Sequence, residues 1–250
     1  MDVPLATMTA VERVLLVVAM NAEARPLVKA LELVEEGCFC PPARCESYVG
    51  RRGGMEVRLV TCGTCATHGV DNCGTVPAAL TTYLALEKYR PQLVLNVGTA
   101  GGFRQEGGCI GDVYLAHATA HHDRRIPLPG FDKYGVGHHE LMDASVLRTK
   151  LGLKPGVVTT GNSLDAVDVD LQLMKKNGAH VKDMECAAIA WSAHLFRTPL
   201  IVIKAVTDLV DGGRPTQEEF LENLHTAADA LQMKVMEALD FIEGKAISEL

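Results

Sequence analysis

The chain has 250 residues, a length that suits one α/β domain. Its 48% of apolar and 22% of charged residues exclude a disordered or repeat-built chain. The formal net charge of −7 argues against nucleic acid as a partner, because phosphate binding needs clustered Lys and Arg. We expect a single domain over residues 1–250, with residues 1–12 as a flexible N-terminal tail.

The sequence shows no sign of export or of a membrane partner. The N-terminus lacks the basic start and apolar stretch of a signal peptide, and no run approaches the roughly eighteen apolar residues of a membrane span. We therefore expect a cytoplasmic protein whose eight cysteines stay reduced. Five of them lie between Cys38 and Cys65, but only Cys62 and Cys65 have the paired spacing of structural zinc sites, so we expect no metal.

Apolar runs and helical periodicity alternate along the chain. Short unbroken apolar runs predict buried strands, whereas apolar residues at three- and four-residue spacing predict helices. Two weaker strands flank Gly53 and Gly54, which predicts a hairpin. In chain order, the predicted elements are a strand at 14–20, a helix at 23–33, hairpin strands at 47–49 and 55–61, a helix at 76–89, a strand at 93–97 that breaks at a glycine-rich turn at 98–102, a strand at 112–116, a helix at 141–150, a strand at 157–160, helices at 169–177 and 186–196, a strand at 200–206 and a last helix from 216.

Two segments have specific signatures of their own. Thr216 and Glu219 form the pattern of a capping box after Pro215, so each side chain is expected to accept a backbone N–H at the start of the last helix. The stretch 121–137 is rich in Pro, Gly and aromatic residues without a clear period, which predicts a long ordered loop. Alternating strands and helices, together with the early hairpin, predict an α/β fold whose central mixed β-sheet is flanked by helices on both faces.

Three acidic residues, Glu23, Glu185 and Asp208, lie where predicted strands pass into helices or loops. Each alone has an ordinary explanation, because carboxylates favour helix N-termini and Asp favours turns. Strand ends in open α/β sheets form ligand crevices, so the three together indicate a site. The small residues at 98–102 would admit a ligand beside the Thr99 hydroxyl, with a simple tight turn as the alternative. Their spacing is not that of a dinucleotide fingerprint.

These features, in this order, resemble the nucleoside phosphorylase superfamily, and most closely its plant-type 5′-methylthioadenosine nucleosidases, some of which also cleave S-adenosylhomocysteine. The resemblance covers nearly the whole chain and implies a nucleoside phosphorylase-like fold. It further implies a homodimer that hydrolyses the bond between adenine and a 5′-thio-substituted ribose in methionine salvage, without cofactor or metal. The segments that carry it are Val17-Val-Ala-Met-Asn-Ala-Glu23, Gly74-Thr-Val-Pro77, Asn96-Val-Gly-Thr-Ala-Gly-Gly-Phe103, His122-Asp-Arg-Arg-Ile-Pro127, Thr160-Gly-Asn-Ser-Leu-Asp165, Lys182-Asp-Met-Glu185 and Lys204-Ala-Val-Thr-Asp-Leu-Val-Asp-Gly212.

The same resemblance implies a role for each carboxylate. Asp208 matches the general acid that protonates N7 of adenine, Glu23 the residue that positions and deprotonates the attacking water, and Glu185 the carboxylate that holds the ribose hydroxyls. An ordinary Asp is ionised at neutral pH, so Asp208 needs a raised pKa to donate a proton. The other expected substrate-binding residues are Thr99, Leu164 and the backbone around Lys182 near the purine, Met184 against the sugar, and Cys73 and Phe220 at the alkylthio group. Asp183 and Lys204, which stands where bacterial relatives have Arg, complete the expected set.

One departure and two alternatives affect this interpretation. Asn162 stands where the family usually has Asp, which removes a charge from the purine loop. A phosphate-dependent phosphorylase is one alternative, but Glu23 would place an anion where phosphate should bind, and phosphate loops carry Arg. A non-catalytic storage or binding relative is the other, and retention of all three carboxylates argues against it. Whether S-adenosylhomocysteine is accepted depends on the loops around Cys73 and Phe220.

Overall fold

A mixed sheet of ten strands runs through the part of the chain that the structure, a computed structural model, describes, residues 9–250. The strands are β1 (Arg13–Val18), β2 (Val34–Cys38), β3 (Glu46–Arg52), β4 (Met55–Thr61), β5 (Leu93–Gly102), β6 (Val113–His121), β7 (His139–Glu140), β8 (Lys154–Thr160), β9 (Val181–Asp183) and β10 (Leu200–Leu209). The helices are α1 (Asn21–Ala30), α2 (Thr75–Tyr89), α3 (Phe131–Val136), α4 (Ser145–Leu151), α5 (Asp168–Lys176), α6 (Cys186–Phe196) and α7 (Thr216–Ile242).

Strand β5 lies at the centre of the sheet. It pairs in parallel with β1 and β10, and at Gly101 and Gly102 it pairs in antiparallel fashion with β9. Because β10 also pairs with β6, β6 with β8 and β8 with β9, five strands close into a ring, which β1, β4, β3 and β2 extend. The parallel strands β1, β5 and β10 therefore end on the same side, where β9 crosses the end of β5.

Apolar cores lie on both faces of the sheet. Successive strand residues point to opposite faces, and Leu15 and Leu16 of β1, both 0% exposed, belong to different cores. The Leu16 core includes Leu231 of α7, and the Leu15 core includes Ile189 of α6. The predicted mixed sheet with helices on both faces is thus confirmed. One apolar core packs between each face of the sheet and the helices that cover it.

The helix and strand boundaries differ from the sequence predictions in several places. Residues 98–102 continue β5 instead of turning, and α3 lies within the stretch expected to be a loop. The short strands β2, β7 and β9 were not predicted. The predicted capping box is wrong, because Pro215 occupies the N-cap of α7 and no side chain caps that end. The Glu219 carboxylate instead accepts the Leu209 N–H at 2.8 Å, which ties the first turn of α7 to the end of β10.

The described part of the predicted N-terminal tail is packed on the body of the protein. Val11 is 3% exposed and its N–H donates to the Lys245 carbonyl at 2.8 Å. The Glu12 N–H donates to Gln92 Oε1 at 2.8 Å. A tail reaching to residue 12 is therefore too long a prediction, and residues 1–8 lie outside the described residues. Among the helices of residues 9–250, none is long and apolar enough to cross a membrane.

Candidate active site

A cavity of about 290 Å³ lies at the carboxyl ends of β1 and β10, beside the glycines of β5. Ten of the eleven residues predicted from the sequence line it: Glu23, Cys73, Thr99, Leu164, Lys182, Asp183, Met184, Glu185, Asp208 and Phe220. The lining also includes residues that the sequence reasoning missed, namely Ala19, Met20, Ala100, Gly101 and Thr207. Four of these five are apolar or lack a side chain, and they follow or belong to strands, so no polar signal marks them.

Glu23 is held by three hydrogen bonds in the first turn of α1. Thr99 donates to Glu23 Oε1 from its backbone N at 2.6 Å and from Oγ1 at 2.7 Å. The Met20 N–H donates to Oε2 at 3.3 Å. The side chain is buried, and burial raises its pKa above the usual value, while the Thr99 hydrogen bonds and the Lys204 charge oppose that rise. The site therefore presents a fixed carboxylate that accepts protons more readily than an ordinary Glu.

Glu185 lies at the N-cap of α6 and faces the same cavity. Its Oε1 accepts the backbone N–H of Gly74 at 2.8 Å, from the N-terminus of α2. Burial, with Asp183 adding a like charge, raises the pKa of Glu185 to about 7, although Lys204 and the Gly74 N–H oppose this. Near neutral pH this carboxyl group can therefore be found in either protonation state.

Lys204 differs from its predicted role. It is 2% exposed and does not line the cavity. Its Nζ lies 2.8 Å from Asp183 Oδ2, and Asp183 also accepts hydrogen bonds from Thr160 Oγ1 at 2.6 Å and the Cys186 N–H at 2.9 Å. Burial alone would lower the pKa of Lys204, but Asp183 and neighbouring groups that include Glu185 raise it above the ordinary value. Lys204 thus lies behind the cavity lining, where its charge supports the carboxylates.

Asp208 is the second-last residue of strand β10. It is 3% exposed, and Thr207 Oγ1 donates to its Oδ1 at 2.7 Å. Burial raises the pKa of Asp208, with a further contribution from Glu219, while the Thr207 hydrogen bond and the Lys182 charge lower it. The net direction is the one that a carboxylic acid needs in order to keep a proton at neutral pH.

The glycines at the end of β5, where a turn was predicted, leave room for neighbouring side chains. A Cβ at Gly98 would lie 3.3 Å from Glu23 Oε1 and 3.4 Å from Lys204 Nζ. A Cβ at Gly101 would lie 2.7 Å from Asp208 Oδ2. These positions therefore lack side chains so that carboxylates from α1 and β10 can lie against the strand, which is a different use of glycine from a turn.

Lys182 holds the loop that follows β8. Its Nζ donates to the carbonyls of Ser163 at 2.8 Å and Leu164 at 2.7 Å. Leu164 remains 42% exposed and forms part of the cavity rim. Phe220, at the start of the second turn of α7, and the exposed Cys73 also line the cavity. An apolar rim above buried carboxylates suits a ligand with one polar and one apolar end.

The chemistry available in the cavity is that of acids and bases. Three buried carboxyl groups with raised pKa values lie around one space, and a buried ammonium group supports them. Such perturbed groups in a cavity are typical of sites that transfer protons. Across residues 9–250, no group of three or more His, Cys, Asp or Glu side chains is arranged to hold a metal ion. Cys62 and Cys65 therefore belong to no such group.

Comparison with known proteins gives the class. Residues 13–240 match the sequence pattern of the phosphorylase superfamily, and the chain belongs to that superfamily. It is 43% identical over 242 residues to the 5′-methylthioadenosine/S-adenosylhomocysteine nucleosidase of Arabidopsis thaliana, covering 96% of this chain and 95% of the relative. It is 41% identical over 242 residues to the 5′-methylthioadenosine nucleosidase of the same plant, covering 96% of this chain and 91% of the relative.

A solved structure supports the same placement. The apo form of the Arabidopsis thaliana 5′-methylthioadenosine nucleosidase superposes with a TM-score of 0.95 at 41% identity. The superposition covers 96% of this chain and 100% of that chain. Within the phosphorylase superfamily, the chain therefore belongs to the family of these plant nucleosidases.

Proposed function

We propose that this protein hydrolyses the N-glycosidic bond of 5′-methylthioadenosine to adenine and 5-methylthioribose, a step of methionine salvage. The observation that carries the proposal is the meeting of Glu23, Glu185 and Asp208, all buried, around one cavity of about 290 Å³. One of the relatives is named for S-adenosylhomocysteine as well. We extend the proposed substrates to that nucleoside, because the cavity opens to solvent beside the exposed Cys73. A longer substituent on the sulfur would extend out of the cavity there.

Asp208 is proposed as the general acid. As the bond between C1′ and N9 breaks, its electron pair passes into the purine, and a proton from Asp208 to N7 lets adenine leave as a neutral molecule. This requires a protonated Asp, which burial favours. The Thr207 hydroxyl donates to Asp208 Oδ1 at 2.7 Å and holds the carboxyl group in place beside the proposed adenine position.

Glu185 and Glu23 are proposed to act on the sugar side. Loss of the purine leaves a cationic ribosyl group, which the Glu185 carboxylate stabilises while it binds the ribose hydroxyls. Water then attacks C1′, and Glu23 accepts the proton that the water loses. The three hydrogen bonds on Glu23 keep its carboxylate in place for this transfer.

Water suits this site better than phosphate does as the nucleophile. The Glu23 carboxylate points into the cavity at the end of β1, and a phosphate anion there would be repelled. Among the described residues, no Arg lines the cavity. The cation that lines it, Lys182, already donates to the carbonyls of Ser163 and Leu164, and Lys204 behind it is paired with Asp183. The residues of the cavity therefore favour hydrolysis over phosphorolysis.

We propose that the protein acts as a homodimer joined through α2 and α6. These helices pack side by side, since Ser192 Oγ donates to the Ala79 carbonyl at 3.1 Å. Both expose apolar side chains that monomers rarely leave uncovered in one patch. This α2–α6 surface consists of Val76, Leu80 and Tyr83 on α2 and Trp191 and Leu195 on α6. It borders the site, because the N-terminus of α2 binds Glu185.

The proposed compartment is the cytoplasm. All eight cysteines are free thiols, which is the state expected in a reducing environment. The net charge of −7 gives no reason to propose nucleic acid as a partner. A small nucleoside is the partner that the cavity suits.

One assay separates the proposed activity from its alternatives. Purified protein is incubated with 5′-methylthioadenosine in phosphate-free buffer, and free adenine and the released sugar are measured. We expect adenine and 5-methylthioribose without added phosphate. Adenine release that appears only with phosphate, together with a sugar 1-phosphate, would identify a phosphorylase. A folded protein that releases no adenine under either condition would be a non-catalytic relative.

A further inference from the structure

Three chain segments meet at Asn162, the first residue after Gly161 at the end of β8. Its backbone N–H and its Nδ2 both donate to Asp123 Oδ2, at 2.8 and 3.0 Å. Its Oδ1 accepts from the backbone N and the Oγ1 of Thr75, both at 2.9 Å. The side-chain amide thus donates on one side and accepts on the other, and its orientation is fixed by the partners.

The Thr75 side of this junction leads directly to the proposed ribose carboxylate. Gly74, next to Thr75 at the N-terminus of α2, donates its N–H to Glu185 Oε1 at 2.8 Å. Asn162 Oδ1 lies 3.1 Å from the position that a Cβ of Gly74 would take, and Gly74 has a φ of 99°, so the backbone there fits closely against the amide. A displacement of Asn162 would therefore move the donor that positions Glu185.

The same junction also positions the purine side of the cavity. Leu164, two residues after Asn162, lines the cavity, and its carbonyl is held by Lys182 Nζ at 2.7 Å. Asn162 itself does not line the cavity. Its influence on a bound nucleoside therefore passes to Glu185 through Thr75 and Gly74, and to Leu164 along two residues of the chain.

We propose that Asn162 is a positioning residue, which holds Glu185 and the Leu164 loop in place by joining Thr75 to Asp123. In this chain the amide meets both partners, because its Nδ2 donates to Asp123 while its Oδ1 accepts from Thr75. A carboxylate at residue 162 would lie about 3 Å from that of Asp123, where two like charges repel. The expected effect on turnover rests on the proposed nucleosidase function.

The test exchanges the two partners. The variants Asn162→Asp, Asp123→Asn and the double exchange are purified, and kcat and KM for 5′-methylthioadenosine are measured with the unfolding temperature. We expect Asn162→Asp to lower kcat/KM by about 10²-fold, mostly through kcat, because small misplacements of a catalytic group have effects of that size. The double exchange restores one amide facing one carboxylate, and we expect it to regain at least about tenfold of that loss, a coupling of ~1.4 kcal/mol.

Asn162→Ala removes both side-chain contacts without adding a charge, and it covers the case in which Asn162→Asp does not fold. We expect a loss in kcat of about tenfold from this variant, with little change in unfolding temperature because residue 162 is exposed. A kcat of Asn162→Ala equal to that of the parent overturns the proposal, and so does a double exchange no more active than Asn162→Asp. A parent protein that releases no adenine would instead contradict the proposed function itself.

Discussion

Thr99 donates two hydrogen bonds to one carboxylate oxygen of Glu23, although 76 positions separate the two residues in the chain. Glu23 belongs to the first turn of α1, and Thr99 lies in the centre of β5. Both donors on Thr99 point at Oε1, an arrangement that favours the ionised form of Glu23. The pair therefore opposes the burial that raises the pKa of Glu23, although the net direction remains upward. Among the described residues, Oε2 accepts only the Met20 N–H, at 3.3 Å.

Replacement of Glu23 by Gln tests its role as the base. Gln has nearly the same size and keeps an oxygen for the Thr99 donors, but it cannot accept a proton from water. We expect kcat to fall by about 10²–10⁴-fold, with a much smaller change in KM. Glu87→Gln, an exposed change on α2, is the matched control and should leave both constants unchanged. Near-normal kcat in Glu23→Gln would exclude Glu23 as the base.

Asp208→Asn tests the general acid. Since Asp208 acts in its protonated form and burial raises its pKa, parental activity should decline at high pH as that proton is lost. Asn cannot donate a proton to N7, so we expect kcat to fall by about 10²–10⁴-fold. The small remaining activity should lack the alkaline decline. Measurements of kcat between pH 5 and pH 10 check both points, and an unchanged alkaline decline in Asp208→Asn would assign it to another group.

The sequence predicts more of the cavity than of the strands around it. Glu23, Glu185 and Asp208 stand out because charged residues interrupt apolar patterns, which is a local signal. Strand β9 has only three residues, and its pairing with Gly101 and Gly102 depends on chain segments about 80 positions away. Local periodicity carries no information about such pairing.

The depth of a side chain is also hidden from the sequence. Lys204 was expected to contact the substrate, but it lies behind the cavity, paired with Asp183. The glycines at 98–102 suggested a turn, since a turn is their commonest use. Their actual neighbours, Glu23 and Asp208, come from two other elements. Only the assembled fold shows that a Cβ at Gly101 would clash with Asp208 and that one at Gly98 would press against Glu23.

The protonation of Glu185 should shape the acid side of the pH profile. Glu185 must be ionised to stabilise a ribosyl cation, and burial raises its pKa to about 7. We therefore expect kcat/KM of the parent to fall as pH is lowered through about 7, and Glu23, whose pKa is also raised, adds to this loss. The measurement is kcat/KM from pH 5 to pH 9. A profile that stays flat below pH 7 would contradict an ionised Glu185 in the reaction.

The proposed dimer surface can be tested without reference to activity. Leu80 is 47% exposed near the middle of the α2–α6 surface. Leu80→Asp would place a charge in the contact, and we expect the variant to sediment as a monomer where the parent sediments as a dimer. Leu221→Asp, a change of an exposed leucine on α7 away from that surface, serves as the control and should remain dimeric. A Leu80→Asp variant that dimerises as well as the parent would place the interface elsewhere.

The buried Glu185 should also reduce stability at high pH. Its pKa in the folded protein, about 7, exceeds the ordinary value of 4.5, so the folded state binds its proton more tightly than the unfolded state does. Its favourable contribution is therefore fully present below pH 4.5 and is lost as pH rises through about 7. Glu185→Gln keeps an acceptor for the Gly74 N–H and removes the charge. The rise from 4.5 to about 7 is about 2.5 pKa units, or roughly 3 kcal/mol. We therefore expect its Tm at pH 8 to exceed that of the parent by roughly 6–12 °C, because each kcal/mol shifts Tm by ~2–4 °C. At pH 5 the difference should nearly vanish. Calorimetry of both proteins at the two pH values measures it, and a gain of the same size at both would show that packing, not charge, is responsible.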